Sequence, residues 1–135
     1  MTKHNGFDVE IVRLKDLKHH EEIHQEHVDE LRSQIEQDGL VKNPIIVDKR
    51  SMIILDGHHR ATILEELGYV SIPVCFVDYD DEEQVQVGSW RDDDLVTKSD
   101  VIWAGLTGNR LKAKTSRHHV ANRPEDVNIR LEDLK

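Results

Sequence analysis

The chain has 135 residues, 37% hydrophobic and 33% charged, which suits one compact domain over residues 1–135 with a modest core. Its 18 Lys and Arg against 27 Asp and Glu give a formal charge of −9, which disfavours a broad electrostatic grip on nucleic acid but is compatible with small anionic ligands. The one cysteine, Cys75, cannot form an internal disulfide; MTKHNGFDVEI lacks a signal peptide's apolar core, and no apolar run nears the roughly 20 residues that span a bilayer, so the expectation is a cytoplasmic protein without membrane contact.

Phe7 to Leu14 alternates as a strand, with Val9, Ile11 or Val12 and Leu14 as its apolar positions. The stretch HHEEIHQEHVDELRSQIEQDGL, from His19, predicts an amphipathic helix: Val28, Leu31 and Ile35 recur at helical spacing until Asp38-Gly39. Pro44 to Val47 and Met52 to Leu55 read as a strand pair around the turn DKRS. Ala61 to Leu67 is helical, with Ile63, Leu64 and Leu67 inward and Gly68 as its cap. VSIPVCFVDY is β-rich, and Pro73 points to an edge strand or a strand start.

After the acidic turn Asp78 to Glu83, Val85, Val87 and Trp90 alternate as a strand. Thr97 and Asp100 form the N-terminal signature of a helix reaching about Leu106. TGNRLKAKTSRHHVANRPED has no clear period and is the most basic stretch of the chain; it reads as a functional loop or a flexible tail. IVRLKDLK (Ile11 to Lys18) and NIRLEDLK (Asn128 to Lys135) echo one another, which suggests two strands and possible neighbours but not a repeat protein.

The stretch LDGHHR breaks a local rule. A strand ending at Leu55, a tight turn at Asp56-Gly57 and a helix from about His58 place His58, His59 and Arg60 at a helix N-terminus, where the macrodipole disfavours cations. The arrangement makes sense when an anion arrives. The free N–H groups of the first helical turn converge on a phosphate or carboxylate, and an arginine can grip two phosphate oxygens at once. The bland alternative has Asp56 capping the helix while the three basic residues point into water.

LDGHHRATILEELG resembles the signature of the ParB/sulfiredoxin-like superfamily, and its double-histidine form is similar to that of the free L-serine kinases. Three further stretches fit that family in the same order. LKHHEEIHQEHVDEL resembles the segment that carries a catalytic glutamate, usually as Pro-His-Glu, which puts that role on Glu21; His19 takes the usual proline's place. VGSWRDD resembles the segment whose tryptophan, here Trp90, helps form the amino-acid pocket. KAKTSRHHV resembles the Lys-Thr-Thr-Arg-His segment that closes on substrate, here Lys114, Thr115, Ser116, Arg117 and His118, with Ser116 keeping the hydroxyl of a common threonine. Longer members carry a large insertion before that segment, where this chain has a short connection.

The resemblance implies a small α+β domain, a small mixed sheet with packed helices, in which residues 107–124 form a basic substrate-closing loop or tail. It implies a nucleotide-dependent kinase that converts free L-serine, or a similar small hydroxyl compound, to O-phosphoserine, with ATP or ADP as donor. Phosphoryl transfer needs a phosphate cradle, usually Mg²⁺, and a group that orients or deprotonates the attacking hydroxyl. Gly57, His58, His59 and Arg60 would cradle the phosphates, Glu21 would take the serine proton, and Asp56 would hold the metal or fix the turn. Trp90, Lys114, Thr115, Ser116, Arg117 and His118 would bind the acceptor.

Three other readings stand beside this one. HEEIH, His20 to His24, matches the H-E-x-x-H pattern of zinc hydrolases, with His27 as a further candidate ligand. Sulfiredoxin's Gly-Cys-His-Arg overlays Gly57 to Arg60, but His58 stands where its nucleophilic cysteine belongs, and Cys75 lies in an apolar strand. A non-catalytic ParB-like module that binds nucleotide or DNA would need a recognisable helix-turn-helix for the DNA, and none follows the core.

Overall fold

The computed structural model describes residues 2–23, 25–89, 96–111 and 116–135, so His24, Trp90, Lys114 and Thr115 lie outside the described residues. Strands β1 (Thr2–His4) and β2 (Phe7–Arg13) are followed by a 3-10 turn at Leu14–Asp16 and helix α1 (Gln25–Asp38). Then come β3 (Leu40–Val41), β4 (Ile45–Asp48), β5 (Ile54–Asp56), α2 (His58–Glu66) and β6 (Ser71–Val77). The described chain ends with β7 (Val85–Ser89), α3 (Lys98–Thr107), β8 (Ser116–Val120), β9 (Ile129–Arg130) and a 3-10 turn at Leu131–Leu134.

The main sheet has the order β1-β2-β6-β4-β5. Its β4–β6 pair is parallel and its other pairs are antiparallel. Two small ribbons, β3–β9 and β7–β8, flank it. The fold is therefore the expected α+β arrangement with a small mixed sheet.

Strand periodicity explains how one sheet serves two cores. On β4, Ile45 and Val47 join Val28, Ile35, Ile63 and Leu64 of α1 and α2, while Ile46 joins Val85, Val101 and Val120 on the opposite face. Strand β5 and the residue before it divide likewise: Ile54 faces the helical core, and Ile53 and Leu55 face the second. A strand buried on both faces reads as a continuous apolar run, which is what PIIVD and MIIL show. Among the described residues, no helix is long and apolar enough to cross a membrane.

Three sequence expectations change here. Helix α1 begins at Gln25 rather than near His19, because residues 18–22 are drawn into long-range backbone pairing. Lys18 exchanges hydrogen bonds with Met52 and Ile54, and Leu111 bonds both His20 O and Glu22 N. Pro73 sits in a central strand, yet β4 first pairs with β6 at Val74, so the missing proline N–H coincides with a place β4 does not reach. The basic stretch contains a strand, β8, whose alternation leaves no apolar signature because its inward positions include Ser116 and His118.

The echoing segments each run from a short strand into a 3-10 turn. Their strands are not paired to one another, since β2 lies between β1 and β6 while β9 pairs with β3. The two turns nevertheless meet through Val70, whose O accepts from Leu14 N and whose N donates to Leu134 O, both at 2.9 Å.

Candidate active site

Strand β5 delivers the chain to Gly57, which precedes α2 with φ 109° and ψ 20°. A Cβ at Gly57 would lie 2.2 Å from Ile45 Cγ2 and 2.7 Å from Ile45 Cβ. Only glycine fits the approach of this turn to β4, and only glycine takes that φ without strain. Ala61 N makes an intrahelical bond to Gly57 O at 3.0 Å. The N–H groups before it have no acceptor one turn back, and no acidic residue occupies the first turn. An anion-receptive helix end results.

That end opens on a cavity of about 360 Å³ lined by Glu21, Glu22, His27, Leu55, Asp56, Gly57, His58, His59, Ser116, Arg117, His118 and Arg123. Its volume falls in the range of small-ligand sites. The segment before α1 supplies Glu21, the α2 turn supplies Asp56 to His59, and β8 supplies Ser116 to His118. An adjoining groove shares His27, Asp56, Gly57 and His59 and adds Glu30, Leu31, Gln34 and Arg60.

On the cavity's inner side His20 is fully buried and Glu21 and Ser116 are each 6% exposed. Ser116 Oγ lies 2.6 Å from Glu21 Oε2 and 2.8 Å from His20 Nε2. His20 Nδ1 lies 2.7 Å from Ile54 O, and because a carbonyl only accepts, this nitrogen carries the hydrogen. His58 Nε2, 3.0 Å from the same Nδ1, is therefore an acceptor. Burial, followed by the charge of His20, pushes His58 well below its ordinary range, so its ring is neutral. Its Nδ1 has no hydrogen-bond partner among the described residues.

His118 is held down to about 4 by burial and then by His20. Tyr79, 2% exposed, has its phenol raised by burial and then by Asp48. The phenol thus stays protonated and donates to His118 Nε2 at 2.7 Å. Asp56 Oδ2 pairs with Arg123 at 2.8 Å. Arg60 turns away from the cavity toward Asn43, donating from Nη1 to its carbonyl at 2.7 Å. Cys75 is buried, and burial raises its thiol to about 11, which makes it a poor nucleophile.

The structure thus gathers Glu21, Asp56, Gly57, His58, His59, Ser116, Arg117 and His118 around one cavity and sends Arg60 to the adjoining groove. Sequence reasoning did not assign a role in this cavity to Glu22, Tyr79 or Arg123, nor to His20 except as a zinc ligand. Arg123 lay in the basic stretch, and Tyr79 ended an apolar strand. The zinc reading required His20 and His24 on one helical face, but His20 precedes α1 and His24 lies outside the described residues. His20, Glu21 and His58 do cluster closely enough to hold an ion, although His20 already spends both ring nitrogens on protein partners.

A small α+β domain with an anion-receptive helix end facing a buried carboxylate is the class that fold and site define. The chain matches the ParB N-terminal domain family over residues 3–90, more than half its length, and belongs to that family. It is 41% identical over 87 residues to a ParB-like protein of Sulfolobus acidocaldarius, covering 64% of this chain and 43% of that one. It is 36% identical over 86 residues to an ATP-dependent L-serine kinase of Staphylothermus marinus, covering 59% of this chain and 33% of that one. The match spans less than half the length of these relatives.

Solved structures share the whole fold. A free serine kinase in complex with AMP has a TM-score of 0.84 at 16% identity, covering 99% of this chain and 95% of its own. SbnI with a C-terminal truncation, from Staphylococcus aureus, has a TM-score of 0.83 at 14% identity, covering 94% and 89%.

Proposed function

We propose that the chain is a nucleotide-dependent kinase that phosphorylates the hydroxyl of free L-serine, or of a similar small hydroxyl compound, to give O-phosphoserine. One observation carries the proposal: the buried Glu21 carboxylate and the receptive end of α2 line the same small cavity. Phosphoryl transfer works chiefly by positioning and charge stabilisation, so a base and a phosphate cradle across one ligand-sized space are its main requirements. Relatives named as ATP-dependent L-serine kinases and the shared fold of a free serine kinase support the same reading.

In this mechanism the N–H groups following Gly57 receive phosphate oxygens, with His58 and His59 beside them. Arg60 acts from the adjoining groove, and Arg117 and Arg123 add positive charge at the cavity wall. Glu21 takes the hydroxyl proton as the acceptor oxygen attacks phosphorus. Ser116, Arg117 and His118 line the cavity where the acceptor would sit, and its carboxylate suits the Arg117 guanidinium; Trp90, Lys114 and Thr115 are assigned to acceptor binding on the family resemblance alone.

Mg²⁺ fits the donor set, because Asp56 offers a hard carboxylate with one oxygen on Arg123 and no further hydrogen bond among the described residues. When bound, the ion would neutralise and orient phosphate oxygens. We place the reaction in the cytoplasm, where free serine and nucleotide are available. ³¹P NMR of the protein with Mg²⁺, L-serine and either ATP or ADP tests the function. O-phosphoserine supports it and identifies the donor; bound nucleotide without phosphoserine from either would indicate a non-catalytic nucleotide-binding module.

A further inference from the structure

We propose that Arg123 is a nucleotide-binding residue that joins the metal ligand Asp56 to the phosphates, so that the divalent cation and the nucleotide bind as a coupled pair. The inference rests on the nucleotide site proposed at the end of α2 and extends it to a residue outside the sequence motifs.

The chain holds Arg123 in place from both sides. Strand β8 ends at Val120, and the backbone turns through Asn122 at φ 58°, a left-handed conformation that asparagine tolerates. Beyond Arg123, Asp126 N donates to Asn43 Oδ1 at 2.9 Å and Asn128 N donates to Lys42 O at 3.1 Å. The Lys42 ammonium lies 3.6 Å from Asp126 Oδ1. Asn43 O in turn accepts from Arg60 Nη1 at 2.7 Å. Asn43 thus pins both the loop that carries Arg123 and the side chain of Arg60.

The result is one carboxylate between two guanidinium groups. Arg123 Nη2 lies 2.8 Å from Asp56 Oδ2 on the cavity side, and Arg60 borders Asp56 in the adjoining groove. The three charges act on one another: Arg60 is lowered first by burial, raised by Asp56 and lowered further by Arg123. Among the described residues, Arg123 makes no other side-chain hydrogen bond or ion pair. A guanidinium has five N–H donors, so most of those on Arg123 stay available at the cavity wall.

Charge decides the consequence. A divalent cation on Asp56 by itself is opposed by the two guanidinium groups that share the carboxylate. A nucleotide phosphate reverses the sign, because its oxygens both accept from Arg123 and offer hard ligands to the cation. Arg123 therefore disfavours the metal alone and favours it with nucleotide, and the metal strengthens nucleotide binding by the same factor. Glu21 and Glu22 line the cavity and Glu30 lines the groove. Their charges act on the metal with or without nucleotide, so they shift both affinities and leave the difference to the arginines.

The test measures Mn²⁺ binding by EPR with and without saturating ADP, in the absence of serine, for wild type, Arg123→Gln, Arg123→Lys and Arg130→Gln. The readout is the ratio of the two Mn²⁺ affinities; the Mn²⁺–ADP affinity in solution is common to all four proteins. Arg123→Gln should lower the ratio roughly 5- to 20-fold, and Arg123→Lys, which keeps the charge, should stay within about threefold of wild type. Arg130, on β9 and paired with Glu132 and Asp133, serves as the charge control and should leave the ratio unchanged. If Arg123→Gln shifts both affinities equally, Arg123 is only a brace for Asp56 and the proposal fails; a wild type whose Mn²⁺ affinity does not respond to ADP also overturns it. Coupling that depends on Arg123, without phosphoserine from the wild type, would support this proposal while overturning the kinase reading.

Discussion

Acid should weaken this fold before its carboxylates titrate. His19 and His118 are both held down from 6.5 to about 4, each first by burial; Arg110 adds to the effect at His19 and His20 at His118. Unfolding exposes them to water, where they protonate near their ordinary value. Between pH 6.5 and about 4 the unfolded chain therefore binds more protons, so stability is full above 6.5 and falls as pH drops. Each histidine contributes about 1.4 kcal/mol per pH unit. At pH 5 the pair should cost about 4 kcal/mol relative to pH 7.5, a large share of the roughly 5–15 kcal/mol that holds a domain together.

His58, lowered for the same primary reason, steepens this slope, while Glu65, raised by burial, opposes it at the acid end because the fold takes up that proton first. Urea midpoints at pH 7.5, 6.0 and 5.0 measure the effect, and His19→Gln and His118→Gln should each flatten it. A midpoint that stays level from pH 7.5 to 5.0, or a slope unchanged in both variants, would refute the burial argument.

Gly57→Ala should destabilise by roughly 2–5 kcal/mol, combining left-handed backbone strain with overpacking against Ile45; thermal unfolding measures it, and Ile45→Ala in the same chain should couple favourably. Thr97→Ala removes the capping box of α3, in which Thr97 Oγ1 accepts from Asp100 N and the Asp100 carboxylate accepts from Thr97 N. It should cost about 1 kcal/mol by chemical unfolding and leave serine phosphorylation unchanged. Chelation with EDTA should stop turnover, and Asp56→Asn should raise the Mg²⁺ concentration for half-maximal activity by at least about tenfold.

Local signals were legible where neighbours in sequence decide the structure. The strand-turn-helix at Leu55 to Arg60 could be read because the DG turn and two apolar runs specify it, and the structure agrees to within a residue. The Thr97–Asp100 cap was legible for the same reason. The start of α1 was not, because the pairing that extends His20 and Glu21 comes from Leu111, some 90 residues away in sequence. Nor did any periodicity mark Ser116 for burial: its hydroxyl finds polar partners inside, donating to Glu21 and lying 2.8 Å from His20 Nε2. Arg123 carried no motif, and only the folded chain places it against Asp56. The anion-receptive turn was thus legible in sequence, whereas the polar wall opposite it is tertiary.

The most direct test of the central claim is to follow phosphoserine formation by wild type and Glu21→Gln under saturating nucleotide, with nucleotide affinity measured in parallel. Matched nucleotide affinity and a rate at least about 100-fold lower in the variant are expected. A variant that phosphorylates serine within a few-fold of wild type would show that Glu21 is not the base and would contradict the account.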